Sequence, residues 1–186
     1  MRTALYLVLA IAVTAPTAFP AVGAKLGIGA AAGFDIPILQ DDQSRGFAYG
    51  IKARLDVIPL LTLEPNLFFT KYGDPELAGD DFGGITSDLK GSKVTAYGID
   101  ALLGAGFAAP GLRPYFVAGA GFYNYKRDQT GQNDTDLGFS AGAGLELGFA
   151  VPIALDVRGK LVVIPIEGGS KKSAVITGGL IYYLGK

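Results

Sequence analysis

A chain of 186 residues carrying 17 acidic and 16 basic side chains has room for one domain with a sizeable core, and its net charge of −1 leaves no nucleic-acid footprint. Cys is absent, which excludes disulfides and thiolate chemistry. His is absent too, which removes the usual general base, and there is no Trp.

The first element in chain order is a leader. Arg2 precedes an apolar run over residues 4–13 that is too short to span a bilayer as a helix. Pro16 and Pro20 then break any helix, and Val22-Gly23-Ala24 supplies small residues at a cleavage site, so residues 1–24 are expected to be a signal peptide cut after Ala24. A buried N-terminal helix is the alternative, but nothing amphipathic follows it. Cleavage leaves 15 basic against 17 acidic residues, a formal charge of −2.

Residues 25–186 show alternation of period 2 in eight successive segments, the pattern of strands with two unlike faces. In residues 25–36, Leu26, Ile28, Ala30, Ala32, Phe34 and Ile36 oppose Gly27, Gly29, Ala31, Gly33 and Asp35. In 46–57, Phe47, Tyr49, Ile51, Ala53, Leu55 and Val57 oppose Lys52, Arg54 and Asp56. In 61–70, Leu61, Leu63, Leu67 and Phe69 oppose Thr62, Glu64 and Asn66, with Pro65 interrupting the alternation. In 94–107, Thr95, Tyr97, Ile99, Ala101, Leu103, Ala105 and Phe107 oppose Gly98, Asp100, Gly104 and Gly106. Residues 114–125 are apolar on both faces, leaving their orientation open. In 137–151, Leu137, Phe139, Leu145, Leu147 and Phe149 oppose Gly138, Ser140, Gly142, Gly144 and Glu146. In 153–164, Leu155, Val157, Leu161 and Val163 oppose Asp156, Arg158 and Lys160, and the last segment is 173–184.

The connections after the second, fourth and sixth segments (58–60, 108–113 and 152) read as tight, and those after the first, third, fifth and seventh (37–45, 71–93, 126–136 and 165–172) as long and polar. That asymmetry matches an up-and-down barrel with short periplasmic turns and long external loops.

A soluble sandwich would alternate as well, so the identity of the opposite face decides the medium. Here it is mostly Gly, Ala and Ser, punctuated by Lys52, Arg54, Asp56, Glu64, Asp100, Glu146, Asp156, Arg158 and Lys160. An eight-strand barrel encloses only enough room for side chains, so these acids and bases are expected to pair as a plug in the lumen rather than line a pore. The apolar face then meets lipid, with segments close to the 9–11 residues or so that a tilted strand needs. Without Trp, the interfacial belts fall to Phe69, Tyr72, Phe107, Tyr115, Tyr123, Tyr125 and Tyr182, all near segment ends.

The chemistry of known sites is missing. There is no Gly-x-Ser-x-Gly elbow. The glycine pairs Gly104/Gly106, Gly119/Gly121 and Gly142/Gly144 are not followed by helical patterns and so do not cradle phosphates; glycine in strands serves curvature and close packing. Asp74, Glu76, Asp80, Asp81 and Asp88 are oxygen donors, yet their spacing fits no EF-hand, and a solvated acidic loop is the expectation. Asn133-Asp134-Thr135 formally matches a glycosylation acceptor, a pattern too short to carry weight by itself. No enzyme activity, cofactor or metal is expected.

The last segment ends Thr177-Gly178-Gly179-Leu180-Ile181-Tyr182-Tyr183-Leu184, with Gly185-Lys186 after it. Thr177, Gly179, Tyr182 and Leu184 resemble the C-terminal β-signal of outer-membrane proteins. Pro114-Tyr115-Phe116 followed by Ala118-Gly119-Ala120-Gly121 is similar to the proline-aromatic, glycine-rich start of the fifth strand in small barrels of the OmpA-like and OmpX-like type. The resemblance covers essentially all of residues 25–186. It implies an all-β, eight-stranded antiparallel up-and-down transmembrane barrel in the bacterial outer membrane, recognised by the assembly machinery, surrounded by outer-membrane lipid and monomeric. No peptidoglycan-binding segment follows in this sequence, so wall anchoring is not implied. The expected role is a non-enzymatic barrel whose loops, above all 71–93, serve surface interaction or envelope integrity. A porin-like small-solute channel and a soluble, secreted lipocalin-like binder with the apolar face turned inward are the alternatives.

Overall fold

The computed structural model describes residues 26–38, 45–58, 60–72, 93–104, 111–126 and 133–184. Eight strands follow in chain order: β1 (Leu26–Ile38), β2 (Gly46–Ile58), β3 (Leu61–Tyr72), β4 (Lys93–Leu103), β5 (Gly111–Lys126), β6 (Asn133–Gly148), β7 (Ile153–Ile166) and β8 (Gly169–Leu184). Each pairs antiparallel with its sequence neighbour, and β1 pairs with β8 to close the barrel. Closure leaves no sheet edge, so backbone N–H and C=O groups find partners without water. The expected leader and its cleavage site lie outside the described residues.

The register sets the shape. Following paired residues from Lys126 through Lys93, Lys71, Phe47, Phe34, Ile176, Gly159 and Ala143 returns to β5 at Phe116, ten residues from the start. A stagger of that size over eight strands tilts them by about 40° from the barrel axis. Pro65 has a visible cost: pairing of β2 with β3 skips from Lys52↔Asn66 to Leu55↔Leu63, because proline offers no N–H on that side, while pairing with β4 runs on through Pro65↔Ile99.

The alternation resolves into outside and inside. Tyr49 and Ile51 are 51% and 60% exposed on the outer wall, whereas Lys52 and Arg54, next along the same strand, are 3% and 1% exposed in the lumen. A lipocalin-like arrangement requires the reverse, so that alternative is overturned. β5 turns Tyr115 and Val117 inward and Phe116 and Phe122 outward, and β8 turns Thr177, Ile181 and Tyr183 inward.

Several expectations need correction. β7 and β8 do not flank a long loop over 165–172: both extend into it and are joined by Glu167-Gly168 alone, with Gly168 at φ 82°, a left-handed conformation that glycine adopts without strain. The fourth strand stops at Leu103 instead of running to 107, and the sixth at Gly148 instead of 151, so the connections 104–110 and 149–152 are longer than expected. Gly104 N–H donates to Leu60 O at 2.9 Å, tying two connections of that end together. Of the loop asymmetry, the span 73–92 on the opposite end carries most of what remains.

The aromatic belt is also different. Tyr72, Tyr115, Tyr123 and Tyr125 share the parity of the inward residues of β3 and β5 and lie in the lumen, so they form no belt. Phe107 is outside the described residues. Phe69 and Tyr182 do face outward as expected, and the outward aromatics also include Phe34, Phe47 and Tyr49, which with Phe69 step across β1–β3 with ring centroids 6.1, 6.2 and 5.8 Å apart, the pair Tyr97–Phe122 at 5.6 Å, and Phe116 and Phe139.

Candidate functional site

The chemically distinctive region is the lumen, towards the end that carries the connections 59–60, 104–110 and 149–152. Alternation places Lys52 and Arg54 on β2, Glu64 on β3, Asp100 on β4, Glu146 on β6, and Asp156, Arg158 and Lys160 on β7, all pointing inward. Arg54 is the hub: its Nε donates to Glu64 Oε2 at 2.6 Å, one terminal nitrogen donates to Asp156 Oδ1 at 2.6 Å, and the other bonds Glu146. Arg158 grips Glu64 with two nitrogens at 2.7 and 2.8 Å and reaches Asp100 at 3.3 Å, which Lys160 Nζ also contacts at 2.9 Å. Lys52 bonds Asp156.

Two residue types join this network that alternation alone did not mark. Arg113, expected in a turn, is the first inward cation of β5 and meets Glu146 Oε1 at 3.0 Å. Tyr115 Oη donates to Asp156 at 2.5 Å, and Tyr183 Oη donates to Glu146 at 2.8 Å. Two guanidinium groups lie over the Tyr115 ring, with Arg54 Cζ at 5.5 Å and Arg158 Cζ at 5.6 Å from its centroid. The signal for Arg113 was its parity with Tyr115, legible once β5 is oriented. Asp56 stands apart from the cations around Arg54 and accepts from Thr62 Oγ1 at 2.6 Å.

Burying so many charges is costly unless each is paired and hydrogen-bonded, and bidentate arginine–carboxylate contacts are the geometry that offsets it best. Small apolar clusters adjoin the network: Leu102 and Val117 with Tyr115, and Ala154 and Ile181 with Tyr183. On the other side, a cavity of about 50 Å³ is lined by Asp35, Tyr72, Tyr123, Tyr125 and Ser173 and bounded by Arg158 and Lys160, room for a few waters. There Tyr72 Oη donates to Asp35 Oδ2 at 2.7 Å. No group of three or more acidic residues among the described ones is arranged to hold a metal ion, and the acidic stretch 74–88 is outside them.

On β8, Thr177 and Gly179 face the lumen, while Tyr182 and Leu184 face outward. Gly179 packs so close to β1 that a Cβ would meet the Ala30 carbonyl and Ala31.

An apolar outer wall around a polar, packed lumen with closed hydrogen bonding defines a transmembrane β-barrel. Residues 3–181 match the family of outer membrane protein β-barrel domains, and the chain belongs to that family. It is a protein of the bacterial outer membrane. Its fold is similar to that of neisserial surface protein A, with a TM-score of 0.60 and 18% identity over 86% of this chain and 98% of that one. The N-terminal β-barrel domain of Pseudomonas aeruginosa OprF (TM-score 0.51, 17% identity, 87% and 100% covered) shares the fold. So does a major outer membrane protein of Thermus thermophilus (0.52, 17%, 87% and 100%). No curated protein matches the chain in sequence.

Proposed function

We propose that this chain is a non-enzymatic outer-membrane barrel with a closed lumen, a scaffold whose outward loops, chiefly 73–92, serve surface interaction or envelope integrity. The observation that carries this reading is the Arg54 hub: one guanidinium with contacts to carboxylates from β3, β6 and β7 spans the lumen and occupies the path a solute would take. Catalysis near neutral pH would need a general base, and the chain has no histidine to act as one. The barrel works as a monomer with lipid around it and without cofactor or nucleic acid. Residues 1–24 are its export signal, so the mature chain starts at Lys25. Thr177, Gly179, Tyr182 and Leu184 form the segment the assembly machinery reads.

The test is conductance across planar bilayers holding the purified, refolded protein. The expected record is a flat baseline. Stable single-channel steps that disappear in Gly179→Arg would overturn the closed-lumen reading in favour of a small-solute channel.

A further inference from the structure

We propose that the lumen cavity between the Arg54 cluster and the 73–92 end of the barrel binds the ammonium group of a small organic cation, with Asp35 as its counter-ion and the rings of Tyr72 and Tyr123 as its walls. Asp35 is 8% exposed, and its Oδ2 accepts from Tyr72 Oη at 2.7 Å. Two buried carboxylate oxygens in the lumen have neither a hydrogen bond nor an ion-pair contact among the described residues, Asp35 Oδ1 and Asp56 Oδ2, and of these two residues Asp35 alone lines this cavity. Ser173 on β8 adds a polar contact to the Asp35 carboxyl without satisfying Oδ1. A carboxylate left this way inside a protein is costly, and a ligand carrying positive charge and N–H donors offsets that cost.

The cations around the cavity are already matched. Arg158 and Lys160 bound it on the side of the Arg54 cluster, but Arg158 holds Glu64 at 2.7 Å and Lys160 Nζ holds Asp100 at 2.9 Å. Lys160 attracts Asp35 only through space, without forming an ion pair. The walls are aromatic and aliphatic. Tyr72 lies against Gly46, where a Cβ would meet its ring, and Tyr123 lies in the same way against Gly138. A ring seated along the wall turns a π face to the lumen, and that face attracts cations. Phe68, Val94, Ile164 and Val175 add surface against which alkyl carbons pack.

At the rim of the cavity the chain itself makes the contact inferred for the ligand. Lys171, one inward step beyond Ser173 on β8, places its Nζ 3.8 Å from the Tyr125 ring centroid and 3.8 Å from Asp136 Oδ2. The same pairing of a tyrosine face with a carboxylate recurs deeper in, between Tyr72, Tyr123 and Asp35, where no ammonium group of a described residue touches the carboxylate. At about 50 Å³ the space admits an ammonium carrying one or two carbons and is too small for a sugar or a nucleotide. The inference goes beyond the scaffold role and is independent of whether the lumen conducts, because the cavity lies to one side of the Arg54 cluster.

The experiment is NMR of the full-length barrel in detergent with isotope-labelled tyrosine rings, titrated with methylammonium chloride in exchange for sodium chloride at constant total salt, and in parallel with methanol and with sodium acetate. Methylammonium is expected to shift the Tyr72 and Tyr123 ring signals saturably, to leave those of outward Tyr49, Tyr97 and Tyr182 in place, and to bind at least tenfold more tightly than methanol or acetate. Asp35→Asn should weaken methylammonium binding at least tenfold, while Asp56→Asn, outside the cavity, should not alter it. Folding of each variant is read from its heat-dependent gel mobility, and the three-solute comparison on the unmodified protein decides the matter if Asp35→Asn does not fold. Absence of saturable shifts, equal or tighter binding of methanol or acetate, or an unaltered affinity in folded Asp35→Asn would each overturn the proposal.

Discussion

Tyr115 on β5 lies flat over its cross-strand partner Gly144 on β6, so closely that a Cβ at Gly144 would fall on the phenol ring. The same relation recurs where Tyr183 covers Gly27 and Tyr72 covers Gly46. Glycine at these inward positions leaves the space a tyrosine needs to lie along the lumen wall, which in turn lets its hydroxyl reach a carboxylate: Asp156 for Tyr115, Glu146 for Tyr183, Asp35 for Tyr72.

Gly144→Val should therefore displace Tyr115 and break its bond to Asp156. We expect a loss of roughly 1–3 kcal/mol, the usual range for overpacking, in urea titrations of the barrel refolded into lipid vesicles. Tyr115→Leu in the same chain should restore part of it; an unchanged unfolding midpoint in Gly144→Val would contradict the packing described.

Arg54→Met leaves Glu64, Glu146 and Asp156 without their shared cation. Removing one partner from a buried ionic cluster costs about 3–5 kcal/mol. Lys160→Met, whose side chain is less buried and contacts Asp100 beside Arg158, should cost clearly less. The pair Arg54→Met and Glu146→Leu should be non-additive, with a coupling of about 0.5–3 kcal/mol in a double-mutant cycle. Additive effects would mean that the two residues do not act as a unit.

On the outer wall, Ile51 stands mid-way along β2 and Ile153 at the inner end of β7. Ile51→Arg should reduce the folding free energy into vesicles by about 2–4 kcal/mol, and Ile153→Arg by no more than about 1. Equal penalties at the two sites would argue against hydrocarbon as the medium touching this face.

Tyr182→Ala and Leu184→Ala, taken together, should lower the amount of folded barrel in cellular outer membranes several-fold while leaving spontaneous folding into vesicles nearly unaltered. Loss in both settings would assign these residues to barrel stability rather than to recognition by the assembly machinery.

The strands are legible because an inward charge next to an outward aliphatic leaves an unmistakable period, as in Ile51-Lys52-Ala53-Arg54. Where both faces are apolar the period carries no sign, which is why Tyr72, Tyr115, Tyr123 and Tyr125 read as interfacial although they face the lumen. Arg113 is hidden for a related reason: it follows Pro110-Gly111, which reads as a turn, yet β5 begins at Gly111. The β7–β8 hairpin is obscured because residues 169–172 are polar at every position, while the strand there continues above the membrane, where polarity no longer distinguishes strand from loop.

Local alternation by itself determined that eight strands exist and, in all but the fifth and eighth, that one face carries the charges, since side chains of successive residues in an extended chain point to opposite sides. Which carboxylate each cation meets, the register that pairs Lys71 with Lys93 and Lys93 with Lys126, and the approach of Arg54 and Arg158 to the Tyr115 ring were decided only by closure. Those contacts join residues far apart in the chain, and their geometry depends on the stagger with which β1 meets β8, a quantity no single segment encodes.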